Sequence, residues 1–241
     1  MKKDLKITII TTFKDDYLEL MQTIRSIESQ EGVEFFHILL DASEKEIEDS
    51  EINQYLVSKN TLTIASQGLG QYFCINKGIN IVRTRYFMIL NAGTTFVDSF
   101  SVYNAMKDSS AEDVIINPTT VISRDNKNCT PLIDKIRLPF GVNHEACFYS
   151  NKFISHDLDI GHIADLDFIS KHLLNSDSVL INKTPLIYYP RGGVSDQKPI
   201  DWSRIKNTLK VTGRLLIRRQ YIAGGLLYIR ALKDLFLYLK K

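Results

Sequence analysis

The sequence predicts an α/β protein with a mostly parallel central sheet flanked by helices, followed by a helical C-terminal extension. Three observations lead to this prediction: the composition, an alternation of strand-like and helix-like segments, and a change of charge near residue 200. The 241 residues are 44% apolar and 24% charged, with 12 Gly and 6 Pro, which is typical of a globular protein with one core. Collagen-like and disordered chains are excluded.

The first hundred residues alternate between the two kinds of segment. The predicted strands are the short β-branched or apolar runs 6–12, 33–41, 61–65 and 86–91. The predicted helices are one that begins after the capping candidates Asp15 and Asp16, one over 44–57 and one over 71–82. Strands that alternate with helices form a parallel sheet through right-handed crossovers.

After Asp113 the alternation weakens and the pattern becomes that of an α+β region. The elements predicted there are strands 114–122 and 146–149, a polar loop 123–130, a helix over about 163–174, and helices 202–221 and 226–239. The last two helices are expected to be broken at Gly224-Gly225.

Residues 201–241 differ in charge from the rest of the chain. They hold ten Lys or Arg and two Asp, a net charge of +8, so the first 200 residues carry −6 of the total of +2. Within this segment Ile229, Leu232, Phe236 and Leu239 recur at helical spacing. Such a segment suits an anionic membrane surface, and packing on the domain or on a second subunit is the alternative. No nucleic-acid recognition motif accompanies it.

Location and redox state follow from what the sequence lacks. No uncharged apolar run approaches the roughly 18 residues that cross a bilayer, and the N-terminus leads into a strand pattern instead of a signal peptide. We therefore expect a cytoplasmic protein. Cys74, Cys129 and Cys147 are an odd set without a C-x-x-C pair, so neither a disulfide framework nor a zinc site is indicated.

Polar residues follow each of the first four predicted strands. They are Thr11 to Asp15, Asp41 to Ser43, Ser66 to Gly70, and Asn91 to Thr95. The carboxyl ends of parallel strands meet at one edge of a sheet, where ligands bind, and this mixture of hydroxyls, carboxylate and glycine suits a nucleotide. Turn formation is the alternative for each loop alone.

Two common nucleotide motifs are missing. The chain has no G-x-x-x-x-G-K-[ST], and Gly68-x-Gly70 continues to Phe73 where a dinucleotide fingerprint needs a small residue. These absences disfavour a P-loop NTPase and a dehydrogenase.

Several segments occur together in a characteristic order. They are ITIITTFKDD (7–16) with SIESQ (26–30), Asp41, GQYFCINKG (70–78), NAGT (91–94), NHEACF (143–148), ADLD (164–167) and GGVS (192–195). In these segments the chain resembles the family 2 glycosyltransferases, particularly the bacterial branch that builds capsule, lipopolysaccharide and exopolysaccharide. The resemblance covers residues 6–196 and implies the GT-A fold.

The resemblance implies a domain division and an activity. Residues 1–200 would form the GT-A domain, with a nucleotide-binding half at 1–97 and an acceptor-binding half at 98–200, and 201–241 the basic amphipathic tail. The implied enzyme is an inverting transferase that moves a sugar from a nucleotide donor, expected to be UDP-linked. Its acceptor would be a glycan or lipid-linked glycan at the cytoplasmic face of the membrane, where the protein would be peripheral.

The resemblance also assigns site residues. Asp165 takes the place of the general base that accepts the acceptor proton. The donor-binding residues would be Thr11, Thr12, Phe13, Asp41, Gly70, Tyr72, Asn76, Lys77, Asn91, Gly93 and Thr94. Candidates for the diphosphate or acceptor are His144, Asp167, Arg191, Gly192, Gly193 and Ser195. Asp167 should point away from Asp165 on a helix, and helix capping and a structural role for His144 are the alternatives.

The chain departs from the family pattern at two positions. The family has Asp at the positions of Phe73 and Thr94. In the family, the Asp at the position of Thr94 helps to hold Mg²⁺ or Mn²⁺. Hard cations need carboxylate oxygens, so no metal ligand is assigned and the cofactor stays open. Either side chains such as Arg191 and Lys198 neutralise the donor phosphates, or catalysis is lost. Structurally, we expect Thr94 in a turn and Phe73 in the core.

Three classes of function therefore remain. The first is an active transferase. The second is an inactive homologue that binds nucleotide or glycan or supports a partner transferase. The third, an unrelated Rossmann-like binding module, would have no reason to keep Asn143-His144 or Gly192-Gly193.

Overall fold

The protein is described from a computed structural model. It covers residues 5–44, 50–58, 60–107, 109, 112–122, 127–129, 137–139, 141–152, 154–190 and 201–239. The strands are β1 Lys6–Phe13, β2 Glu34–Asp41, β3 Thr61–Ala65, β4 Tyr86–Ile89, β5 Thr95–Phe96, β6 Val114–Ile116, β7 Thr119–Ile122, β8 Lys127–Cys129, β9 Cys147–Ser150, β10 Val179–Ile181 and β11 Ile187–Pro190. The helices are α1 Tyr17–Glu28, α2 Ser50–Leu56, α3 Gln71–Ile81, α4 Ser101–Met106, α5 Ala164–Leu174, α6 Trp202–Ile217 and α7 Tyr221–Leu239. Two 3₁₀ segments, His144–Ala146 and Leu158–Ile163, complete the set.

The strands form two sheets. The larger has the order β10-β6-β9-β4-β1-β2-β3, with β9 antiparallel to both of its neighbours and the other pairs parallel. The smaller has the order β5-β11-β7-β8. The prediction of a mostly parallel sheet flanked by helices, with helices at the C-terminal end, is confirmed.

The central strands β1 and β4 are buried on both faces. Ile7, Ile9 and Met88 belong to the core on one face, and Ile10 and Ile89 to the core on the other. Because neither face meets water, such strands are continuous apolar runs. This burial is why these strands were the clearest in the sequence.

Helix α1 begins where the sequence predicted. The side chain of Asp16 accepts a hydrogen bond from the backbone N–H of Glu19 at 3.1 Å, the ordinary N-cap interaction. Asp15 has a φ of +55° instead, and its carboxylate accepts from the backbone N–H of Glu44 at 3.0 Å. Of the two capping candidates, only Asp16 caps the helix.

The predicted strand 114–122 is two strands in different sheets. β6 belongs to the large sheet and β7 to the small one, and the chain passes between them at Asn117-Pro118. Proline has no N–H for a strand ladder, which explains the break. Part of the predicted loop 123–130 is also a strand, since β8 pairs with β7; residues 123–126 and 130 lie outside the described part.

The two C-terminal helices are separated earlier than predicted. The break lies at 218–220, where Arg219 has a φ of +60°, and Gly224 and Gly225 are inside α7. A Cβ atom on Gly224 would lie 2.8 Å from Cδ2 of Leu216. This glycine therefore allows α7 to approach α6 closely and does not break the helix.

Helix α6 packs on the α/β domain. Val211 and Leu215 of α6 share an apolar cluster with Ile160, Ile163 and, from α7, Leu227. Packing on the domain was the alternative to a membrane role for the basic segment, and the structure shows it for this face of α6. Among the described helices, none combines the length and apolar character needed to cross a membrane.

Candidate active site

The loops after β1, β2, β3 and β4 meet at one edge of the large sheet. The strand register pairs Phe13 with Asp41 and Asp41 with Ala65, and the backbone N–H of Ala92 donates to the carbonyl of Thr12 at 3.3 Å. The polar residues that the sequence places after the strands are therefore neighbours.

The loop after β4 is held by a buried glutamate. Both oxygens of Glu145 accept hydrogen bonds from Asn91, one from its backbone N–H and one from its side-chain amide, each at 2.9 Å. The amide oxygen of Asn91 accepts from the Thr12 hydroxyl at 2.7 Å. Asn91 thus links β1 to the His144–Ala146 turn. Sequence reasoning quoted Glu145 in a motif and gave it no role.

Gly93 and Thr94 complete this turn. Gly93 has a φ of +91°, a conformation that favours glycine, and its N–H donates to the Thr23 hydroxyl at 3.0 Å. The Thr23 hydroxyl in turn donates to the Thr94 carbonyl at 2.9 Å. Thr94 is only 1% exposed, so it is the turn residue that the sequence led us to expect.

The residues near Thr94 do not suit a hard divalent cation. Both oxygens of Glu145 are engaged by Asn91, and Thr94 offers at most a buried neutral hydroxyl. Within the described ranges no group of three or more His, Cys, Asp or Glu side chains could hold a metal ion. Because Mg²⁺ and Mn²⁺ need several accessible oxygen ligands, carboxylates above all, these residues do not make such a site.

Asp41 lies half-buried at the end of β2. One of its oxygens accepts from the backbone N–H of Ser43 at 2.9 Å, and the Ser43 hydroxyl accepts from the backbone N–H of Asp15 at 3.0 Å. The loops after β1 and β2 are therefore tied together. The second oxygen of Asp41 accepts no hydrogen bond from the described residues, so a ligand can use it.

Two of the three residues expected from the end of β1 are buried. The Thr11 hydroxyl donates to the Leu90 carbonyl at 2.7 Å and lies 2.8 Å from Nε2 of His37. Phe13 is 4% exposed and packs in a small apolar cluster with Leu20. Only Thr12 is partly accessible, and its hydroxyl orients Asn91.

Helix α3 presents its predicted residues in different directions. Gly70 is its exposed N-cap residue. Asn76 exchanges two hydrogen bonds with the backbone of His156, at 2.9 and 2.7 Å, so it holds the segment before residue 158. Nζ of Lys77 lies 5.2 Å from the ring centroid of Phe73.

Phe73 was expected in the core, and this was wrong. It is 39% exposed, on the side of α3 that also carries Lys77 at i+4. The buried side of the helix is instead made by Cys74, Ile75, Gly78 and Ile79. A Cβ on Gly78 would lie 2.9 Å from Ile10, so α3 lies directly against β1.

Asp165, in the first turn of α5, is the centre of a polar cluster. The Tyr72 hydroxyl donates to its Oδ2 at 3.2 Å, and Nδ1 of His144 lies 3.4 Å from the same oxygen. Nε2 of His156 lies 3.4 Å from Oδ1. The Asp165 side chain is 27% exposed, with its Oδ1 buried, so part of it can meet a ligand while three side chains surround it.

These neighbours set the charge of the cluster. Burial alone would raise the pKa of Asp165, but His144, His156 and the Tyr72 hydroxyl favour the carboxylate, and its pKa is lower than usual. Burial lowers the pKa of His156, and burial together with Asp165 raises that of Tyr72. These pKa shifts favour an ionised Asp165, a neutral His156 and a protonated Tyr72 at neutral pH.

His156 is a member of this cluster that sequence reasoning missed. Its ring stacks on Phe168 at a centroid distance of 4.0 Å with planes 2° apart, and on Tyr72 at 5.0 Å. It is 3% exposed. It belongs to none of the motifs that the sequence displayed, so no signal singled it out.

Asp167 points away from Asp165, as helix geometry predicted. It is fully buried, and its carboxylate lies 2.9 Å from Arg218, 3.3 Å from Arg214 and 3.1 Å from Lys171. This differs from the position expected of a diphosphate or acceptor ligand, because the three cations belong to α5, to α6 and to the residue that follows α6. The other candidates Arg191, Gly192, Gly193, Ser195 and Lys198 lie outside the described residues.

Solved structures share this overall architecture. The chain superposes on S. aureus TarS 1–349 in complex with UDP-GlcNAc with a TM-score of 0.73 at 12% identity, over 97% of this chain and 73% of that one. The TarS complex with UDP gives 0.68 at 12% identity, over 88% and 66%. The chain has a GT-A fold.

A third GT-A structure extends the comparison. A mannosyltransferase from Pyrobaculum calidifontis in complex with GDP-Man and Mn²⁺ matches with a TM-score of 0.63 at 11% identity, over 99% of this chain and 76% of that one. By sequence, the chain matches no family model and no curated protein. The similarity therefore concerns the fold.

The buried His37 of β2 should make the stability of the folded protein depend on pH. Burial lowers its pKa to about 3, whereas the unfolded chain has the ordinary value of about 6.5. Below pH 6.5 the unfolded state binds a proton that the folded state does not, so stability falls. The loss at this residue should reach about 2 kcal/mol between pH 7 and pH 5.

Urea unfolding of His37→Gln at both pH values measures this effect. The variant should lose that part of the pH dependence. Tyr55→Phe is the matched control, because it removes the hydroxyl 2.8 Å from Nδ1 of His37 and leaves the titrating group. An unchanged pH dependence in His37→Gln would contradict the assignment.

Proposed function

We propose that the protein is a glycosyltransferase that moves a sugar from a nucleotide-sugar donor to an acceptor hydroxyl. The observation that carries this proposal is the partly exposed carboxylate of Asp165 at the carboxyl edge of a GT-A sheet, with Tyr72, His144 and His156 beside it. The GT-A structures that bind UDP, UDP-GlcNAc and GDP-Man support a nucleotide-linked donor.

The donor is proposed to bind across the loops after β1, β2 and β4. Asp41 would use its free oxygen on the nucleoside, which we propose to be uridine. Asn91 is already held by Thr12 and Glu145, so the loop that faces the donor is ordered before binding. Preorganised polar groups reduce the entropy that binding costs.

The proposed reaction is a direct displacement with inversion. The acceptor oxygen attacks the anomeric carbon, the new C–O bond forms, and the bond to the phosphate oxygen breaks with its electron pair leaving on the nucleoside diphosphate. Asp165 accepts the acceptor proton. Tyr72 and the two histidines orient the carboxylate towards the hydroxyl.

His144 is proposed to contact a substrate oxygen. It is 9% exposed, and its Nε2 has no hydrogen-bond partner within the described part of the chain. Buried polar atoms normally have partners, so a phosphate or acceptor oxygen would satisfy this one. Nδ1 stays beside Asp165, which couples substrate binding to the orientation of the base.

The negative charge of the diphosphate is proposed to be balanced by side chains. Because Thr94 and its neighbours do not suit a metal ion, we assign this role to Arg191 and Lys198, with His144 as a further donor. Guanidinium groups bind phosphate through two parallel hydrogen bonds.

The acceptor is proposed to be a glycan or lipid-linked glycan of surface polysaccharide biosynthesis. The protein would then work at the inner face of the membrane. The resemblance of the sequence motifs to the capsule and lipopolysaccharide branch supports this context, together with the basic segment 201–241.

A second candidate function is a binding protein without catalysis. The burial of Thr94 and the exposure of Phe73 at the positions of family carboxylates favour it. The two candidates share nucleotide binding and differ in whether Asp165 matters for turnover.

Asp165→Asn distinguishes the two. It should reduce turnover by about 10²- to 10⁴-fold, because Asn keeps the size of Asp and cannot accept the proton. Donor affinity and melting temperature should change little. Asp159→Asn, an exposed carboxylate in the preceding 3₁₀ segment, is the matched control.

Two results would contradict the catalytic assignment. Turnover at the wild-type rate in Asp165→Asn would place the base elsewhere. A wild-type protein that binds a nucleotide sugar and transfers it to none of a broad set of glycan acceptors would favour the binding-only candidate.

Asp41 tests the donor site. Asp41→Ala should weaken nucleotide binding by roughly 1.5 to 3 kcal/mol in calorimetry, as expected when a hydrogen bond to a charged group is lost. Asp41→Asn keeps an oxygen that can accept from the backbone N–H of Ser43. It therefore preserves the order of the loop while it removes the charge that would contact the ligand. Glu44→Ala, an exposed carboxylate in the same turn, should have no effect, and equal affinities throughout would contradict the site.

Calorimetry with and without divalent cations tests whether side chains, and not a metal ion, balance the charge of the donor diphosphate. Nucleotide affinity in EDTA should stay within a factor of about three of that in Mn²⁺, which is under about 0.7 kcal/mol. If nucleotide affinity falls strongly in EDTA and Mn²⁺ restores it, the prediction is contradicted. Other side chains, such as Asp15 or His144, would then form the metal site in place of the missing carboxylate.

A further inference from the structure

The outer face of α7 is an apolar row with different chemistry on its two sides. Ile222, Ile229, Leu232 and Leu239 are exposed by 49%, 64%, 47% and 73%, and they recur at the spacing of one helix face. No described residue covers them. The opposite face of α7, which includes Leu227, is buried against the rest of the molecule.

Basic and aromatic side chains flank this row on opposite sides. By helical position, Arg230 and Lys233 lie along one side and Tyr221 and Tyr228 along the other, and all four are exposed. Neither Arg230 nor Lys233 has a carboxylate within ion-pair distance in the described residues. The apolar side chains suit the acyl layer of a membrane, the basic side chains suit its phosphate layer, and the tyrosines suit the interface between membrane and water.

The one carboxylate of α7 is turned inward. Asp234, the carboxylate of α7, is 6% exposed and lies 3.3 Å from Nε of Arg204. Arg214 and Arg218 of the preceding segment pair with Asp157 and Asp167 of the domain. The pairing arginines therefore face the protein, whereas the other described Lys and Arg residues of the segment are exposed.

We propose that this outer face of α7 lies on an anionic lipid bilayer. An antiparallel symmetric pair of chains would bring Arg230 and Lys233 beside their own copies without an acidic partner, which disfavours a second copy in that arrangement as the occupant. Anionic headgroups supply the missing opposite charge, and basic residues near such a surface each add about fivefold to binding.

The attachment also fixes the active site relative to the lipid. Helix α6 carries Arg214, whose Nη2 lies 2.6 Å from Asp157, and Arg218 follows it with Nη1 2.9 Å from Asp167. Asp167 is two residues from Asp165 on α5. A docked α7 would therefore hold Asp165 at a set height above the membrane, as an acceptor anchored in lipid requires; this last step rests on the proposed function.

Co-sedimentation of the full chain with vesicles tests the docking. We expect binding to phosphatidylglycerol–phosphatidylcholine vesicles, little binding to phosphatidylcholine alone, and weakening by salt. Ile229→Ser with Leu232→Ser should weaken binding at least about tenfold, and Arg230→Gln with Lys233→Gln about 25-fold. Leu18→Ser with Val57→Ser is the matched control, because these apolar residues are 73% and 82% exposed elsewhere.

The outcomes separate the possible occupants. Absence of vesicle binding by the wild-type protein, or equal binding by all folded variants, overturns the proposal. A wild-type dimer in sedimentation velocity that Ile229→Ser with Leu232→Ser dissociates assigns the face to a second copy. Transfer to a soluble acceptor without vesicle binding overturns only the docking, and vesicle binding without transfer overturns only the enzyme.

Discussion

The buried carboxylate of Asp167 is the charge on which the C-terminal half depends. A buried charge is costly unless it is paired and hydrogen-bonded. Lys171, Arg214 and Arg218 provide the pairing, and Arg214 and Arg218 can do so only if α6 lies against α5. Together with the apolar cluster around Val211 and Leu215, this carboxylate sets the position of the basic segment, and Asp165 in the same helical turn shares that constraint.

Asp165 and Asp167 show how helix geometry divides two similar residues between two tasks. Residues two apart on a helix point in nearly opposite directions. Asp165 therefore faces the sheet edge and stays 27% exposed, while Asp167 faces the C-terminal helices and has no exposure. Asp165 can meet a substrate, while Asp167 pairs with the arginines that hold the C-terminal helices against α5.

The edge loops use most of their polar groups on one another. Glu145 and Thr12 engage Asn91, and Thr23 engages Gly93 and Thr94. Among the described residues, the groups that stay open to a ligand include one oxygen of Asp41, Nε2 of His144 and the exposed part of Asp165. A loop framework that is ordered in advance reduces the entropy that ligand binding costs.

The sequence by itself determined the order of the elements, the sheet edge where the polar loops meet, the start of α1 at Asp16 and the opposed directions of Asp165 and Asp167. Those features depend on local periodicity and on strand ends, which neighbouring residues encode. Only the tertiary structure decided that Phe73 is exposed, that Gly224 brings α7 against α6, that β6 and β7 belong to different sheets and that His156 and Glu145 adjoin the candidate site. Each of these depends on residues distant in sequence, and periodicity contains no information about which surfaces will meet.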